Sequence, residues 1–178
     1  MRLWMLLAAF FALVILIMKA ATKARGQVIL NAEDHRVSTI GGFIGNFLVF
    51  VLLSVVTPLT IGPLSVAGLM LIVPAAIIYV LSIVELIRNP DGLVVSGIYR
   101  ISRNPMYVAM VDFLLAFCLM AAEYSPTIGL GMLGSTSIFM VLINARVNDE
   151  ERFLSTRYPA EWRAYMQTTA RYIPVVAK

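Results

Sequence analysis

The 178-residue chain has one cysteine, Cys118, and one histidine, His35. A single cysteine excludes an intrachain disulfide. One Cys and one His far apart in sequence do not make an ordinary zinc ligand set, so no metal site is expected. Charge is scarce too: 13% of residues are Asp, Glu, Lys or Arg, against roughly one-quarter in soluble domains. No internal repeat or low-complexity linker breaks the chain. A glycine-rich nucleotide loop is not supported either. Gly41 and Gly45 have the nearest spacing, but no strand precedes them, and they read better as a close helix-helix approach.

What is abundant is apolar. Hydrophobic residues make up 60% of the chain and the mean hydropathy is +0.87. The expected fold is all-α, a polytopic membrane protein in one membrane-embedded domain covering 1–178. Apolar runs predict about five spans, at Leu3–Met18, Val37–Thr57, Leu64–Ile87, Met106–Ala122 and Thr127–Ile143. Pro74 should kink the third. After the fifth, Asn144–Arg157 continues helically, and Pro159 is placed to open a short cytoplasmic helix. In that helix Trp162, Tyr165, Met166 and Thr169 share a face.

The net charge is +4, and its distribution is informative. With five spans, every Lys and Arg except Arg2 falls on one side. Cytoplasmic loops carry the excess of Lys and Arg. This predicts an outside N-terminus and a cytoplasmic C-terminus. Spans four and five then form a hairpin that returns the chain to the end of span three. Two polar stretches meet there. Residues 1–88 supply three spans, and 89–178 supply a polar loop, the hairpin and the tail.

The first stretch runs from Asn89 to Tyr107. Asn89-Pro90-Asp91-Gly92 is a turn signal. Tyr99, Arg100, Arg103, Asn104 and Tyr107 then crowd polar tips into a short span, and Pro105 bars easy helix continuation through Asn104. The second stretch holds Glu150-Glu151, Tyr158, Trp162, Tyr165 and Arg171-Tyr172-Ile173-Pro174. Adjacent helical residues point about 100° apart. Glu150 and Glu151 therefore cannot both face one site; Glu150 is slightly favoured as the inward one, with the other pairing Arg146 or Arg157. Other carboxylates fall outside these runs. Glu85 faces the site or pairs with Arg88. Glu123 sits in the turn between spans four and five. Asp112 lies inside a span, where a carboxylate is expensive and functional by default, unless it is a structural hydrogen-bonding group. His35 has no motif around it and reads as a solvated interfacial residue.

The two stretches together resemble the isoprenylcysteine carboxyl methyltransferase family of integral membrane enzymes. Gly97, Tyr99, Arg100, Arg103, Pro105 and Tyr107 match its first motif, and Asn104 stands where the family usually has His. Glu150-Glu151, the aromatics and Arg171-x-x-Pro174 match its second. The resemblance implies S-adenosylmethionine as donor and a lipophilic acceptor, with membrane lipids as partners and no nucleic acid. It implies Tyr99, Arg100, Arg103, Asn104, Pro105, Tyr107, Glu150 and Glu151 as cofactor-binding, and Arg171 and Glu150 as catalytic. Asn104 can exchange hydrogen bonds but cannot carry a proton at neutral pH. Methyl transfer to a carboxylate needs no base, since the nucleophile is already anionic. An amine would need one. This favours an acid or thiol-like acceptor, carboxyl O-methylation first. The competing readings are an NADPH-dependent membrane reductase and a non-catalytic scaffold with a degenerate site.

Overall fold

The computed structural model describes residues 2–9, 11–12, 37–89 and 92–172. Six helices occur in chain order: α1 (residues 3–9, with 11 and 12 also helical), α2 (Val37–Val56), α3 (Pro63–Arg88), α4 (Pro105–Tyr124), α5 (Pro126–Arg157) and α6 (Pro159–Thr168). A short 3₁₀ turn, Gly97–Arg100, precedes α4. Among the described residues there is no strand. Proline opens α3, α4, α5 and α6. At the first helical turn the missing N–H costs nothing and the fixed φ suits the helix.

Among the described residues three helices are long and apolar enough to cross a membrane: α3, α4 and α5. The chain is a membrane protein, and these are its candidate spans. The apolar part of α2, Gly41–Val56, is shorter, and the expected first span lies largely outside the described residues. Five spans are therefore an expectation and three an observation. His35 also lies outside the described residues. α3 passes through Pro74 as one continuous helix.

Helix α4 is the centre. It packs on α3 along one side and α5 along the other, and α2 packs against α5. Lipid tails are as apolar as leucine, so close packing rather than water exclusion must hold these helices together. Small residues permit it. A Cβ on Gly68 of α3 would lie 2.7 Å from the Ala116 carbonyl oxygen, and one on Gly129 of α5 would lie 2.6 Å from Ala122 Cβ. Phe113 stacks on Phe117, and Phe50 meets Phe117 edge-on. Buried Ser54, Thr57, Ser82 and Thr136 give their hydroxyls to carbonyls one turn back, which satisfies them without water. Among the described residues a Cβ on Gly41 or Gly45 would meet no neighbour, whereas one on Gly42 would abut Leu142.

The two ends of the bundle differ. At one end Leu3 N–H donates to the Thr57 carbonyl, and Arg2 donates to that of Val55. There Glu123 accepts from the N–H groups of Leu64 and Ser65 at 2.7 and 3.2 Å. This caps α3 with a carboxylate, where the helix dipole favours one. At the other end lie the loop after α3, the extension of α5, and α6. The 32 residues of α5 make a rod about 48 Å long. The hydrocarbon layer is about 30 Å, so the last turns of α5 stand clear of it and carry Asn144 to Arg157.

Candidate active site

The site is built by docking the C-terminal segment onto the loop after α3. That loop is first tied to α3. Ser96 donates to Glu85 Oε2 at 2.5 Å, and the side-chain amide of Asn89 donates to the Glu85 carbonyl at 3.0 Å. Glu85 also pairs with exposed Arg88 at 3.6 Å, so it anchors the loop. Gly97 has φ +56, and a Cβ there would sit 2.5 Å from Glu85 Oε1. Glycine is required twice, for the left-handed backbone and for the close approach.

The tail then pairs with this loop. Tyr165 OH donates to the Tyr99 carbonyl at 2.6 Å. Arg103 N–H donates to the Ala170 carbonyl at 2.8 Å. Ser102 Oγ and Asn104 Nδ2 both donate to the Arg171 carbonyl, at 3.3 and 3.1 Å. Asn104 sits at the N-cap position of α4 without a side-chain capping bond; its amide is spent holding the tail. Neutral histidine also has one N–H to give, so this task does not depend on a proton carrier. Burial pushes the Tyr165 phenol above its ordinary value near 10. Trp162 and Tyr165 face inward as expected, and so does Thr169, but Met166 is 42% exposed. The inward face is narrower than periodicity indicates because the loop meets α6 along one edge.

Docking assembles a charged cluster. Arg103 lies 5.6 Å over the Trp162 ring and 3.7 Å from Glu151. Arg171 lies 3.4 Å from the other Glu151 oxygen. Glu151 is thus shared by two guanidiniums, one from each motif. Arg171 also donates to the side-chain carbonyls of Asn144, at 3.3 Å, and Asn148. Tyr172 OH donates to Asn144 at 3.2 Å, and burial raises its phenol while Arg171 pulls the other way. Glu150 turns elsewhere: it accepts from Tyr107 OH at 2.8 Å and from Arg146 Nε at 2.7 Å. The 100° between neighbours on α5 thus sends each glutamate to a different motif residue, Glu150 behind Tyr107 and Glu151 behind Arg171.

Beside the cluster is a cavity of about 710 Å³, within the size range of ligand sites. Tyr107, Asn144, Arg171 and Tyr172 form its polar end. Val108, Val111, Leu115, Met140 and Ile143 line the rest, with Asp112 among them. Arg103 Nε and Nη1, Arg171 Nε and Glu151 Oε1 are buried and without a hydrogen-bond partner. Arg103 Nη1 and Glu151 Oε1 face each other as an ion pair; buried polar atoms are normally satisfied, and Arg171, which lines the cavity, has its Nε without a partner there. Among the described residues no cluster of His, Cys, Asp and Glu could hold a metal.

Most of the expected site residues are brought together here. Pro105 is fully buried at the start of α4. Tyr99 is buried in the docking contact and offers its carbonyl, while Arg100 is exposed on the 3₁₀ turn and makes none of these contacts. Ile173 and Pro174 lie outside the described residues. Asn144 and Asn148 were missed by motif reasoning. The signal was their spacing with Glu151, at i, i+4 and i+7 on one face of α5.

The α4–α5 hairpin and the segment after α6 thus line one cavity, with the loop after α3 docked beside them. Residues 66–161 match the sequence model of the phospholipid methyltransferase family. The match covers more than half of the chain, and the chain belongs to that family, which includes the isoprenylcysteine carboxyl methyltransferase-like membrane enzymes. Membership implies a membrane methyltransferase. None of the curated proteins and none of the solved structures gives a match.

Proposed function

We propose that the chain transfers a methyl group from S-adenosylmethionine to a lipophilic acceptor drawn from the bilayer. The observation that carries this is the cavity itself: Tyr107 of the first stretch and Arg171 and Tyr172 of the second meet at its polar end, with Arg171 Nε buried and without a hydrogen-bond partner, and the rest of its wall is largely apolar. When bound, S-adenosylmethionine supplies an electrophilic methyl group on a sulfonium. Its α-carboxylate suits the Arg171 guanidinium at the cavity's polar end. Glu151, paired with Arg171 and Arg103, holds that guanidinium in place from behind. Tyr107, fixed by Glu150, closes the polar end of the wall. The apolar residues deeper in α4 and α5 give a hydrocarbon chain a dry path.

Taken alone, the two motifs favour carboxyl O-methylation. They hold no free base, and a carboxylate needs only orientation and loss of water. The arginine-rich end of the bundle carries the site, and the excess of Lys and Arg in cytoplasmic loops supports a site facing the cytoplasm.

The test is calorimetric binding of S-adenosylhomocysteine to the full chain in mild detergent, with NADPH titrated alongside. Binding of the homocysteine analogue without NADPH binding is expected. Binding of NADPH alone would turn the reading to a reductase. Binding of neither would leave a degenerate site and a scaffold.

A further inference from the structure

Asn144 of α5 belongs to neither motif, and its side chain is only half used. It lines the cavity together with Arg171 and Tyr172. Its Oδ1 accepts from Arg171 Nη1 at 3.3 Å and from Tyr172 OH at 3.2 Å. Arginine has no acceptor, so the first of these bonds fixes which arm of the amide is the oxygen. Nδ2 is the other arm, and among the described residues it has no hydrogen-bond partner. It is attached to the same carbon as Oδ1 and therefore stands beside the Arg171 guanidinium. Arg171 Nε is also without a hydrogen-bond partner. The polar end of the cavity thus holds unspent donors from α5 and from the tail. Charge points the same way. Among the described residues Arg103 and Arg171 both pair with Glu151, and Glu150 is taken by Arg146. Two positive charges against one negative leave one positive charge in excess at this end.

We infer that Asn144 binds the α-carboxylate of the methyl donor, side by side with Arg171. The inference rests on the reading of this cavity as the donor's site. A carboxylate has two acceptor oxygens, so one can take the guanidinium and the other the Asn144 amide. A hydrogen bond to an ionised acceptor is roughly twice as strong as one between neutral groups, and the excess positive charge is matched by an anion. Asn144 then has two tasks on two atoms. Oδ1 holds Arg171 and Tyr172 in place, and Nδ2 meets the ligand. Asn144→Asp separates the two tasks. It keeps an acceptor for Arg171 and Tyr172 and adds charge to the contact with Arg171, but it sets a negative group where the ligand's carboxylate has to lie, and like charges repel. Asn148 is the natural comparison. Its Oδ1 also accepts from Arg171, one turn further along α5, and it does not line the cavity.

The test titrates two ligands by calorimetry on the full chain in dodecylmaltoside micelles at pH 7. One is S-adenosylhomocysteine. The other is its decarboxylated analogue, S-adenosylthiopropylamine, which keeps the adenosine, the thioether and the amine and lacks only the carboxylate. The readout is the ratio of the two affinities, which a general loosening of the cavity leaves alone. The wild-type chain should bind S-adenosylhomocysteine at least about tenfold more tightly than the analogue. Asn144→Asp should lower that ratio at least about tenfold, with no loss of unfolding stability. Asn148→Asp brings the same charge to Arg171 from outside the cavity wall and should lower the ratio less than about threefold. Asn144→Ala removes the donor without adding charge. It should lower the ratio about fivefold, and it serves as the test if Asn144→Asp does not fold. A ratio within about twofold of wild type in the Asn144 variants overturns the inference. An equal fall in Asn148→Asp overturns it too, since the effect would then be one of charge on Arg171 alone. Equal affinity of the wild-type chain for the two ligands has the same consequence. Failure of the wild-type chain to bind either ligand is a different result: it removes the methyltransferase reading, and this inference with it.

Discussion

Glu151→Gln tests the arrangement most directly. The substitution keeps the shape of the side chain and removes the one negative charge shared by Arg103 and Arg171. Their nitrogens lie 3.7 and 3.4 Å from its two oxygens. At an effective dielectric constant near 20, each contact is worth about 4–5 kcal/mol before desolvation is subtracted. Taking the carboxylate out of water offsets much of that, and breaking a fully buried pair typically costs 3–5 kcal/mol. Here the side chains keep 12, 19 and 29% of their surface for Arg103, Glu151 and Arg171. Solvent screening lowers the expected cost to about 2–4 kcal/mol. The assay is unfolding in mixed dodecylmaltoside–dodecyl sulfate micelles, followed by circular dichroism. Glu150→Gln is the comparison and should cost less, about 1–2 kcal/mol, since Glu150 serves Tyr107 and Arg146 alone. The double variant Arg103→Gln/Glu151→Gln should cost at least about 1 kcal/mol less than the sum of the singles, because the residues interact. A Glu151→Gln cost under about 0.5 kcal/mol, or strict additivity with Arg103→Gln, would refute the shared-charge account.

Other consequences can be measured in the same way. Gly97→Ala forces a left-handed alanine against Glu85 and should cost about 2 kcal/mol or more, read as lower unfolding stability together with easier proteolysis of the loop after α3. Asn104→His keeps an N–H for the Arg171 carbonyl, so S-adenosylhomocysteine affinity should stay within about twofold; Asn104→Leu removes the donor and should weaken it at least about fivefold. Glu123→Ala removes the cap of α3, far from the site, and should cost about 1–2 kcal/mol of stability with no change in ligand affinity. The Tyr165 phenol has a folded pKa raised above its ordinary value near 10. Its contribution is therefore full below pH 10 and lost as the pH rises and the unfolded chain ionises first. Tyr165→Phe should cost about 1 kcal/mol at pH 7 and flatten the alkaline decline measured by unfolding.

The convergence of the two polar stretches was legible because charge asymmetry and a hairpin require no knowledge of packing. The start of α6 at Pro159 and the continuation of α5 past Ile143 were legible for a similar reason: each depends on local backbone preference. What depends on neighbours was not. Spacing marked Gly41 and Gly45 as a contact pair, but a helix has several faces and the face that meets α5 carries Gly42. Periodicity put Met166 beside Trp162 and Tyr165, yet a narrow loop covers only the edge those two share. Glutamates 150 and 151 diverge, but in the reverse of the expected sense: Glu150, favoured as the inward one, takes Arg146 and Tyr107, while Glu151 meets Arg103 and Arg171, because the partner of each depends on where the tail lies. Asn144 and Asn148 acquire meaning only once Arg171 is placed between them. The sequence could flag Asp112 as unusual, and only the fold shows which wall it stands in.

The docking of the tail deserves a last consideration for what it leaves free. Among the described residues four hydrogen bonds between the loop and the tail end on main-chain oxygens, at Tyr99, Ala170 and Arg171. The segment after α6 is thus gripped by its peptide groups while the side chains of Arg171 and Tyr172 point into the cavity. The loop holds the segment by its main chain, and α5 holds it by the side chains of Arg171 and Tyr172. Substitutions at 171 and 172 therefore change the cavity lining and the grip on α5 together, while the main-chain bonds to the loop remain. Such a division lets one scaffold be passed between methyl acceptors over evolutionary time, with the latch kept and the lining exchanged.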